Sequence, residues 1–379
     1  MSTLTILNNA RIVLPDEVVE GTIAIRDGKI ADISTGRAHT GEDMEGDYII
    51  PGLVELHTDH LEGHYAPRPR VRWNPIAAVL AHDAQVAASG ITTVFDALRI
   101  GLIEEGEMTA SDMRELATAV NHSVDAGRLR ADHLIHLRCE VCAPDCLSSF
   151  ELYGDGDRVR LVSLMDHAPG QRQFTSIDAY RAYYIGKMKM TEDQFTTFCE
   201  KRIAESERFA GPNRRTISSA CRERGIVLAS HDDATIDHVD EAASDGVRVA
   251  EFPTTVAAAR ASRESGMSVL MGAPNVIRGG SHSGNVSART LAENGCLDIL
   301  SSDYIPFSLI QSAFFLGDVV DEISLPEAVA MVSKNPAEAV GLNDRGVIEA
   351  GRRADLVRVR VDEHVPVVRA VWREGSRVA

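Results

Sequence analysis

Five apolar segments of the chain each end in a histidine or a carboxylate. They are VELHTD, HLIHLRCE, LVSLMDH, IVLASHDD and DILSSDY, and their polar ends are His57, Asp59, Glu140, Asp166, His167, His231, Asp232, Asp233 and Asp303. Neutral imidazoles and carboxylates are ligands that suit Zn²⁺, Mn²⁺ and Fe²⁺. One such histidine is more often a hydrogen-bonded structural residue, but burying polar groups at all five ends without partners would cost several kcal/mol. The joint pattern therefore predicts a metal site.

The segments around these groups alternate as parallel β/α units do. Near-continuous apolar runs predict eight strands, at residues 49–57, 91–96, 133–140, 159–166, 226–231, 249–252, 268–272 and 299–302. Helical patterns cover residues 76–89, 110–126, 192–209, 257–265 and 325–333. Apolar strands that alternate with helices favour a closed (β/α)₈ barrel, whose catalytic groups lie at the carboxyl ends of its strands. The predicted strands would therefore bring the polar ends together at one mouth, with His57 and Asp59 pointing the same way.

Both ends of the chain carry shorter strand-like patterns of their own. The first 50 residues alternate β-branched runs with turns and include an Asp27-Gly28 hairpin signal. The last 35 residues behave in the same way. We predict a small β-sandwich domain from residues 1–50 and 345–379, and a barrel domain from residues 51–344.

Composition limits the partners of the protein. The formal net charge of −17 argues against a nucleic-acid binder, which needs a basic surface, but not against a small polyanion held by local arginines and metal ions. No run approaches the roughly 20 apolar residues of a membrane span, and the first residues do not resemble a signal peptide. We expect a cytoplasmic protein with reduced cysteines. The CEVCAPDC cluster lacks a fourth cysteine at ribbon spacing and is only a weak metal signal.

The run PGLVELHTD, the later strand-end histidines, the SSD triplet and the ending NPAEAVGL resemble the amidohydrolase superfamily over nearly the whole chain. That resemblance implies one or two metal ions, usually held by a His-x-His pair, a carbamylated lysine or a glutamate, two more histidines and an aspartate. Here the pair is His57-x-Asp59, and none of the five lysines ends a predicted strand, so Glu140 takes the bridging position. Glu140 ends the third predicted strand, whereas the family usually has this ligand on the fourth. The implied ligands are His57, Asp59, Glu140, His167, His231 and Asp303, around two ions of Zn, Mn or Fe.

Six blocks in the same order narrow the resemblance. The blocks PGLVELHTDHLEGHYAPRPRVRW, HLRCEV, DHAPGQRQF, YYIGKMKM, RGGSHSGNVSA and LSSDYIPFSL are similar to the PhnM family of the carbon–phosphorus lyase pathway. This family hydrolyses α-D-ribose 1-methylphosphonate 5-triphosphate to the 5-phosphate and pyrophosphate. The resemblance implies the same reaction in phosphonate metabolism, with Asp303 orienting the attacking water and accepting its proton. Under the same resemblance, His282 would protonate or stabilise the leaving group.

A substrate with a triphosphate and a phosphonate needs many cationic and amide donors. Arginine offers paired hydrogen bonds to phosphate, and the glycines of IRGGSHSGN let backbone N–H groups approach it. The chain has no P-loop motif. The predicted contacts are His64, Arg68, Arg70, Arg172, Gln173, Lys187, Lys189, Arg278, Ser281, His282, Asn285 and Tyr304. His60 and His64 could instead orient metal ligands, and His82 and His122, within predicted helices, are interpreted as structural or surface residues.

Two other functions stay open on the sequence. A barrel of this type can also cleave the C–N bond of a cyclic amide or an N-acyl substrate, although a small amide needs only one or two cationic contacts. The chain could also be a non-catalytic subunit of a phosphonate-degrading complex, against which the intact set of predicted ligands argues. The native metal and the oligomeric state, with a homo-oligomer possible, are also open.

Overall fold

Two eight-stranded sheets organise the chain in the computed structural model, which describes residues 4–38, 40–101, 108–172, 180–181, 191–280 and 285–379. The first sheet starts with β1 (Leu4–Val13), β2 (Val18–Arg26), β3 (Lys29–Thr35), β4 (Glu42–Asp43) and β5 (Tyr48–Pro51). The β2–β3 hairpin turns at Asp27 and Gly28, both with positive φ, as the sequence predicted.

The second sheet is the barrel. Its strands are β6 (Leu53–Thr58), β7 (Ile91–Ile100), β8 (Asp132–Glu140), β9 (Val159–Met165), β10 (Val227–His231), β11 (Val249–Glu251), β12 (Ser268–Gly272) and β13 (Ile299–Ser301). Neighbours in chain order pair in parallel from β6 to β13. A parallel bridge between Thr58 and Asp303 brings the last strand back to the first, and the Glu55 carboxylate accepts from the backbone N–H groups of both His57 and Ser302. The predicted barrel is confirmed.

Helices surround the barrel between its strands. They are α1 (His60–Tyr65), α2 (Pro75–Ala88), α3 (Ala110–Asp125), α4 (Cys146–Phe150), α5 (Glu192–Arg224), α6 (Ile236–Asp245), α7 (Val256–Glu264), α8 (Ala273–Arg278), α9 (Ala288–Glu293), α10 (Ser308–Val319), α11 (Leu325–Ala330) and α12 (Lys334–Ala339). Among the helices described, none is both long and apolar enough to cross a membrane. Thr109, Thr191 and Ser324 begin α3, α5 and α11 with capping boxes, which satisfy the first backbone N–H groups of these helices.

The end of the chain completes the first sheet. Strands β14 (Leu356–Asp362), β15 (Val365–Arg373) and β16 (Ser376–Arg377) give the order β16-β15-β14-β5-β1-β2-β3, with β4 beside β1. Both termini therefore build one sheet. The exact division into two domains at residues 50 and 345 stays a prediction.

The inside of the barrel is packed below its mouth. Val54 and Leu56 on β6, Phe95 on β7 and Leu161 on β9 are fully buried, together with one residue from each of the strands β10 to β13. Such an interior is a solid core and not a channel. Chemistry is therefore confined to the strand ends.

The largest departures from the predicted bounds are in two elements. The run predicted as one strand over residues 49–57 is divided between the two sheets at Gly52, whose N–H donates to the carbonyl of Asp355 at 2.8 Å. The helix predicted to end at residue 209 continues to Arg224 through Pro212. Buried side chains beyond the proline, such as Ile217 and Cys221, hold the second half of α5 in place despite the lost hydrogen bond.

Gly52 is a close contact between the two sheets, which allows a direct test. A Cβ atom at this position would lie 2.2 Å from Thr92 Oγ1 and 2.9 Å from Asp355 Cβ. Gly52→Ala should therefore lower the free energy of unfolding by about 1–3 kcal/mol, measured by urea denaturation. The control is Gly63→Ala in α1, where an added Cβ meets nothing within 4 Å. Equal stability of the two variants would contradict this account of Gly52.

Candidate metal centre

A cleft of about 380 Å³ opens at the carboxyl ends of the barrel strands. Its polar lining comes from the ends of four strands, from α8 and from the segment after α8: His57, Asp59, Arg138, His231, Asp232, Asn275, Arg278, Asn285, Asp303 and Tyr304. The segments VELHTD, HLIHLRCE, IVLASHDD and DILSSDY thus contribute side chains to one cleft, as the barrel geometry predicted. His167, from LVSLMDH, lies beside them, with its ring centroid 5.5 Å from that of His231.

A buried carboxylate under the mouth orients two of the histidines. Glu251, the last residue of β11, accepts hydrogen bonds from Nδ1 of His57 at 3.0 Å, from Nδ1 of His231 at 3.1 Å and from Ser163 Oγ at 2.6 Å. Burial would raise the pKa of Glu251, but the neighbouring imidazoles hold it well below its usual range. An ionised carboxylate only accepts hydrogen bonds, so both rings donate through Nδ1 and keep Nε2 as a free electron pair. This is the usual way in which proteins prepare histidine for a metal.

Asp232 supplies an oxygen between two imidazoles. Its Oδ2 lies 3.5 Å from Nε2 of His167 and 3.5 Å from Nε2 of His231, and the three ligand atoms are mutually within 4.8 Å. Oδ2 is buried and has no hydrogen-bond partner within the described part of the chain. The backbone of Asp232 has φ of +56°, which costs energy in a residue other than glycine. A buried acceptor that lacks a donor and faces two imidazoles fits a divalent cation.

Glu140 orients the third histidine. It ends β8, the third barrel strand, and its Oε2 lies 2.6 Å from His167 Nδ1 while its Oε1 accepts the His167 backbone N–H at 2.8 Å. Burial would raise the pKa of Glu140, but His167 and Arg202 lower it to about 2. Both oxygens are engaged by His167, so the geometry favours an orienting role. The bridging role predicted for Glu140 stays a prediction.

Asp303 and Arg138 complete the polar lining of the cleft. Asp303 follows the eighth barrel strand with φ of +54°, and its backbone N–H donates to the carbonyl of His57 at 3.1 Å. Burial raises the pKa of the Asp303 carboxyl. Arg138 lies two residues before Glu140 on β8, with Nη1 3.5 Å from Asp59 Oδ2. Its Nε is buried and makes no hydrogen bond to any described residue.

Ten of the twelve predicted phosphate contacts divide into three groups. Arg278, Asn285 and Tyr304 line the cleft, whereas Arg68 and Arg70 are exposed on the loop after α1. Gln173, Lys187, Lys189, Ser281 and His282 lie outside the described residues.

Two of the predicted residues have protein partners of their own. Arg172 is 3% exposed and forms ion pairs with Asp233 and Glu241, so its guanidinium is already neutralised, which counts against a contact with substrate. His64 lies against His60 and His82 on the two helices that follow the first strand.

Sequence reasoning left out three residues of this centre. Asp232 was identified as a strand-end carboxylate but not included among the ligands. Glu251 is the penultimate residue of the predicted strand over residues 249–252, and Arg138 precedes Glu140 by two, so the strand-end rule and the period of two could have identified both.

Known proteins resemble the chain throughout its length. Residues 185–379 match the amidohydrolase family. A relative from Thermoplasma volcanium, imidazolonepropionase, is 23% identical over 96% of this chain and 91% of its own. The solved structure of N-acetyl-D-glucosamine-6-phosphate deacetylase from Mycobacterium smegmatis has a TM-score of 0.65 at 17% identity and covers both chains completely, which shows the fold alone.

The chain therefore belongs to the amidohydrolase family. Within it, the similarity to one protein is much higher. Alpha-D-ribose 1-methylphosphonate 5-triphosphate diphosphatase of Escherichia coli (strain K12) is 48% identical over 377 residues, which cover 98% of this chain and all of that protein.

The role of Glu251 can be tested through metal affinity. Glu251→Gln keeps the shape of the side chain but removes the charge that holds Nδ1–H of His57 and His231. We expect Zn²⁺ affinity, measured by calorimetric titration of the chelator-treated protein, to fall about 10- to 100-fold. The control is Glu264→Gln on the exposed end of α7. Unchanged affinity in a folded Glu251→Gln variant would show that Glu251 does not prepare these histidines.

Proposed function

We propose that this chain hydrolyses α-D-ribose 1-methylphosphonate 5-triphosphate to the 5-phosphate and pyrophosphate. The observation that carries the proposal is the 48% identity to the Escherichia coli diphosphatase over the whole of both chains. The other relatives named above share less than half of that identity.

The amidohydrolase family is metal-dependent, and the histidine and carboxylate groups of the mouth suit a divalent ion. We propose that His167, His231 and Asp232 hold one ion and that His57, Asp59 and Asp303 face a second, with zinc, manganese or iron as the metal. When bound, such ions polarise a phosphoryl oxygen and lower the pKa of water, so that it can attack at neutral pH. Glu251 and Glu140 fix the rings that hold them.

Asp303 is the proposed proton acceptor. It lies at the end of the eighth barrel strand beside the first, and its half-buried carboxyl is near His57, His231, Asp59 and Arg138. A carboxylate whose pKa is raised by burial is a stronger base than an exposed one, so it can take the proton of the attacking water more readily. The hydrogen bond from the Asp303 backbone N–H to the carbonyl of His57 holds Asp303 at the mouth.

Two arginines of the cleft suit a phosphorylated substrate. Arg138 lines the cleft and has a buried Nε that makes no hydrogen bond to the residues that the structure describes, and Arg278 lines the same space. A buried guanidinium nitrogen without an acceptor is costly, and a phosphate oxygen would satisfy it with a charge-assisted hydrogen bond. Pyrophosphate as the leaving group would have its developing charge neutralised in the same way.

The reaction is tested by ³¹P NMR of the ribose phosphonate triphosphate, incubated with the protein and Zn²⁺ or Mn²⁺. We expect pyrophosphate and a ribose 5-phosphate signal to appear, and a chelator to abolish both. The matched control is Asp303→Asn, which should keep bound metal but lose about 10²–10⁴-fold in turnover with the proton acceptor gone.

Two outcomes would contradict these proposals. No change in the phosphorus spectrum with metal bound would favour cleavage of a C–N bond. Wild-type turnover in Asp303→Asn would remove Asp303 as the proton acceptor while leaving the diphosphatase reaction intact.

The contribution of Arg138 is tested separately. Arg138→Ala should raise KM for the triphosphate about 10- to 100-fold, because a charged hydrogen bond contributes roughly 1.5–3 kcal/mol. Metal content, measured by elemental analysis, should stay the same. Arg160→Ala is the control, since Arg160 is exposed near the start of the fourth barrel strand, at the opposite end of the barrel. An unchanged KM in Arg138→Ala would exclude this residue from substrate binding.

We also propose a cytoplasmic location, for which all six cysteines, buried and unpaired, give support. The possible homo-oligomer and the role of each predicted phosphate contact stay predictions.

A further inference from the structure

A second cluster of histidines lies outside the mouth, where α1 and α2 meet the second barrel strand. His60 and His64 are on α1, four residues apart and so on one face, and His82 is on α2. One ligand nitrogen of each histidine lies within 4.8 Å of the other two. The ring centroids are 4.9 Å apart for His60 and His64, 5.9 Å for His60 and His82, and 6.0 Å for His64 and His82. None of the three lines the cleft.

Each of the three rings has a buried nitrogen without a partner. These atoms are Nδ1 of His60, Nε2 of His64 and Nδ1 of His82, and none forms a hydrogen bond with the residues that the structure describes. A buried polar atom without a partner destabilises the folded chain. Because the three nitrogens lie on neighbouring rings, one bound ion could be the partner of all three.

The most deeply buried ring is already fixed for binding. His82 is fully buried, and its Nε2 lies 2.9 Å from Oδ1 of the buried Asp96. The other oxygen of Asp96 lies 2.8 Å from His133 Nδ1, so the carboxylate is held from both sides. With Nε2–H donated to Asp96, Nδ1 of His82 carries the free electron pair. A carboxylate behind an imidazole is the usual arrangement of a metal-bound histidine.

We propose that His60, His64 and His82 bind one Zn²⁺ ion at a site separate from the mouth of the barrel. Three imidazoles leave the fourth tetrahedral position of zinc to water. Zinc–nitrogen bonds of about 2.0–2.1 Å require ligand nitrogens about 3.3 Å apart, so binding draws the rings of α1 towards His82. Because α1 begins directly after Asp59, the ion would tie this end of the first barrel strand to α2.

The site is tested by counting ions. The protein is stripped with a chelator, loaded with Zn²⁺ alone, desalted and analysed for zinc per chain. We expect the double variant His60→Gln/His64→Gln to bind one ion fewer than the wild type. His122→Gln, which removes an exposed histidine from α3, is the matched control and should bind as many ions as the wild type.

A second variant separates this ion from those of the mouth. His57→Asn/His231→Asn/Asp232→Asn removes ligands of both proposed mouth ions and should still bind one ion that the further changes His60→Gln and His64→Gln abolish. When this mouth variant is loaded with Co²⁺, it should show the strong visible absorption of tetrahedral cobalt. This measurement does not depend on whether the His60→Gln/His64→Gln variant folds. Equal zinc content in wild type and a folded His60→Gln/His64→Gln variant would overturn the proposal. So would a folded mouth variant that binds no zinc.

Discussion

The Glu251 carboxylate holds together the strand ends on which the metal centre depends. It is fully buried and binds side chains from three other barrel strands: His57 on the first, Ser163 on the fourth and His231 on the fifth. The buried charge of Glu251 is tolerated because the ring N–H groups of His57 and His231 and the hydroxyl of Ser163 donate hydrogen bonds to it. The same hydrogen bonds decide which nitrogen of each histidine faces the mouth. One anion thus sets both the spacing of the strands and the chemistry of their ends.

Much of this arrangement could be predicted from local patterns. Apolar runs of strand length located all eight barrel strands, and the polar residues after them located the mouth, because both signals are carried by neighbouring residues. The division of the predicted strand at Gly52 was missed because the run from Ile49 to His57 has one continuous apolar pattern. Only the packing of Thr92 and Asp355 against Gly52 shows where the two sheets divide. The strand-end rule could have placed Glu251 at the mouth, but its orienting role depends on His57, which lies 194 positions away.

Arginine is the residue whose role the sequence predicts least well. Arg172 follows a strand-end histidine, as a phosphate contact would, yet it forms buried ion pairs with Asp233 and Glu241. Arg345, Arg353 and Arg373 all pair with Asp132 at the start of the third barrel strand. In a chain with a net charge of −17, many arginines are neutralised by such carboxylates. The position of Arg138 on the inner face of a strand distinguishes it from these structural arginines.

The pairing of β5 with β14 has a consequence for the synthesis of the chain. Pro51 lies opposite Leu356, so one edge of β5 gains its partner only about 300 residues after it has left the ribosome. At about 5–20 residues per second, this interval is roughly 15–60 s. Throughout this interval β5 has an open edge, with which other chains could pair. The nascent protein therefore carries this open edge until β14 has been synthesised.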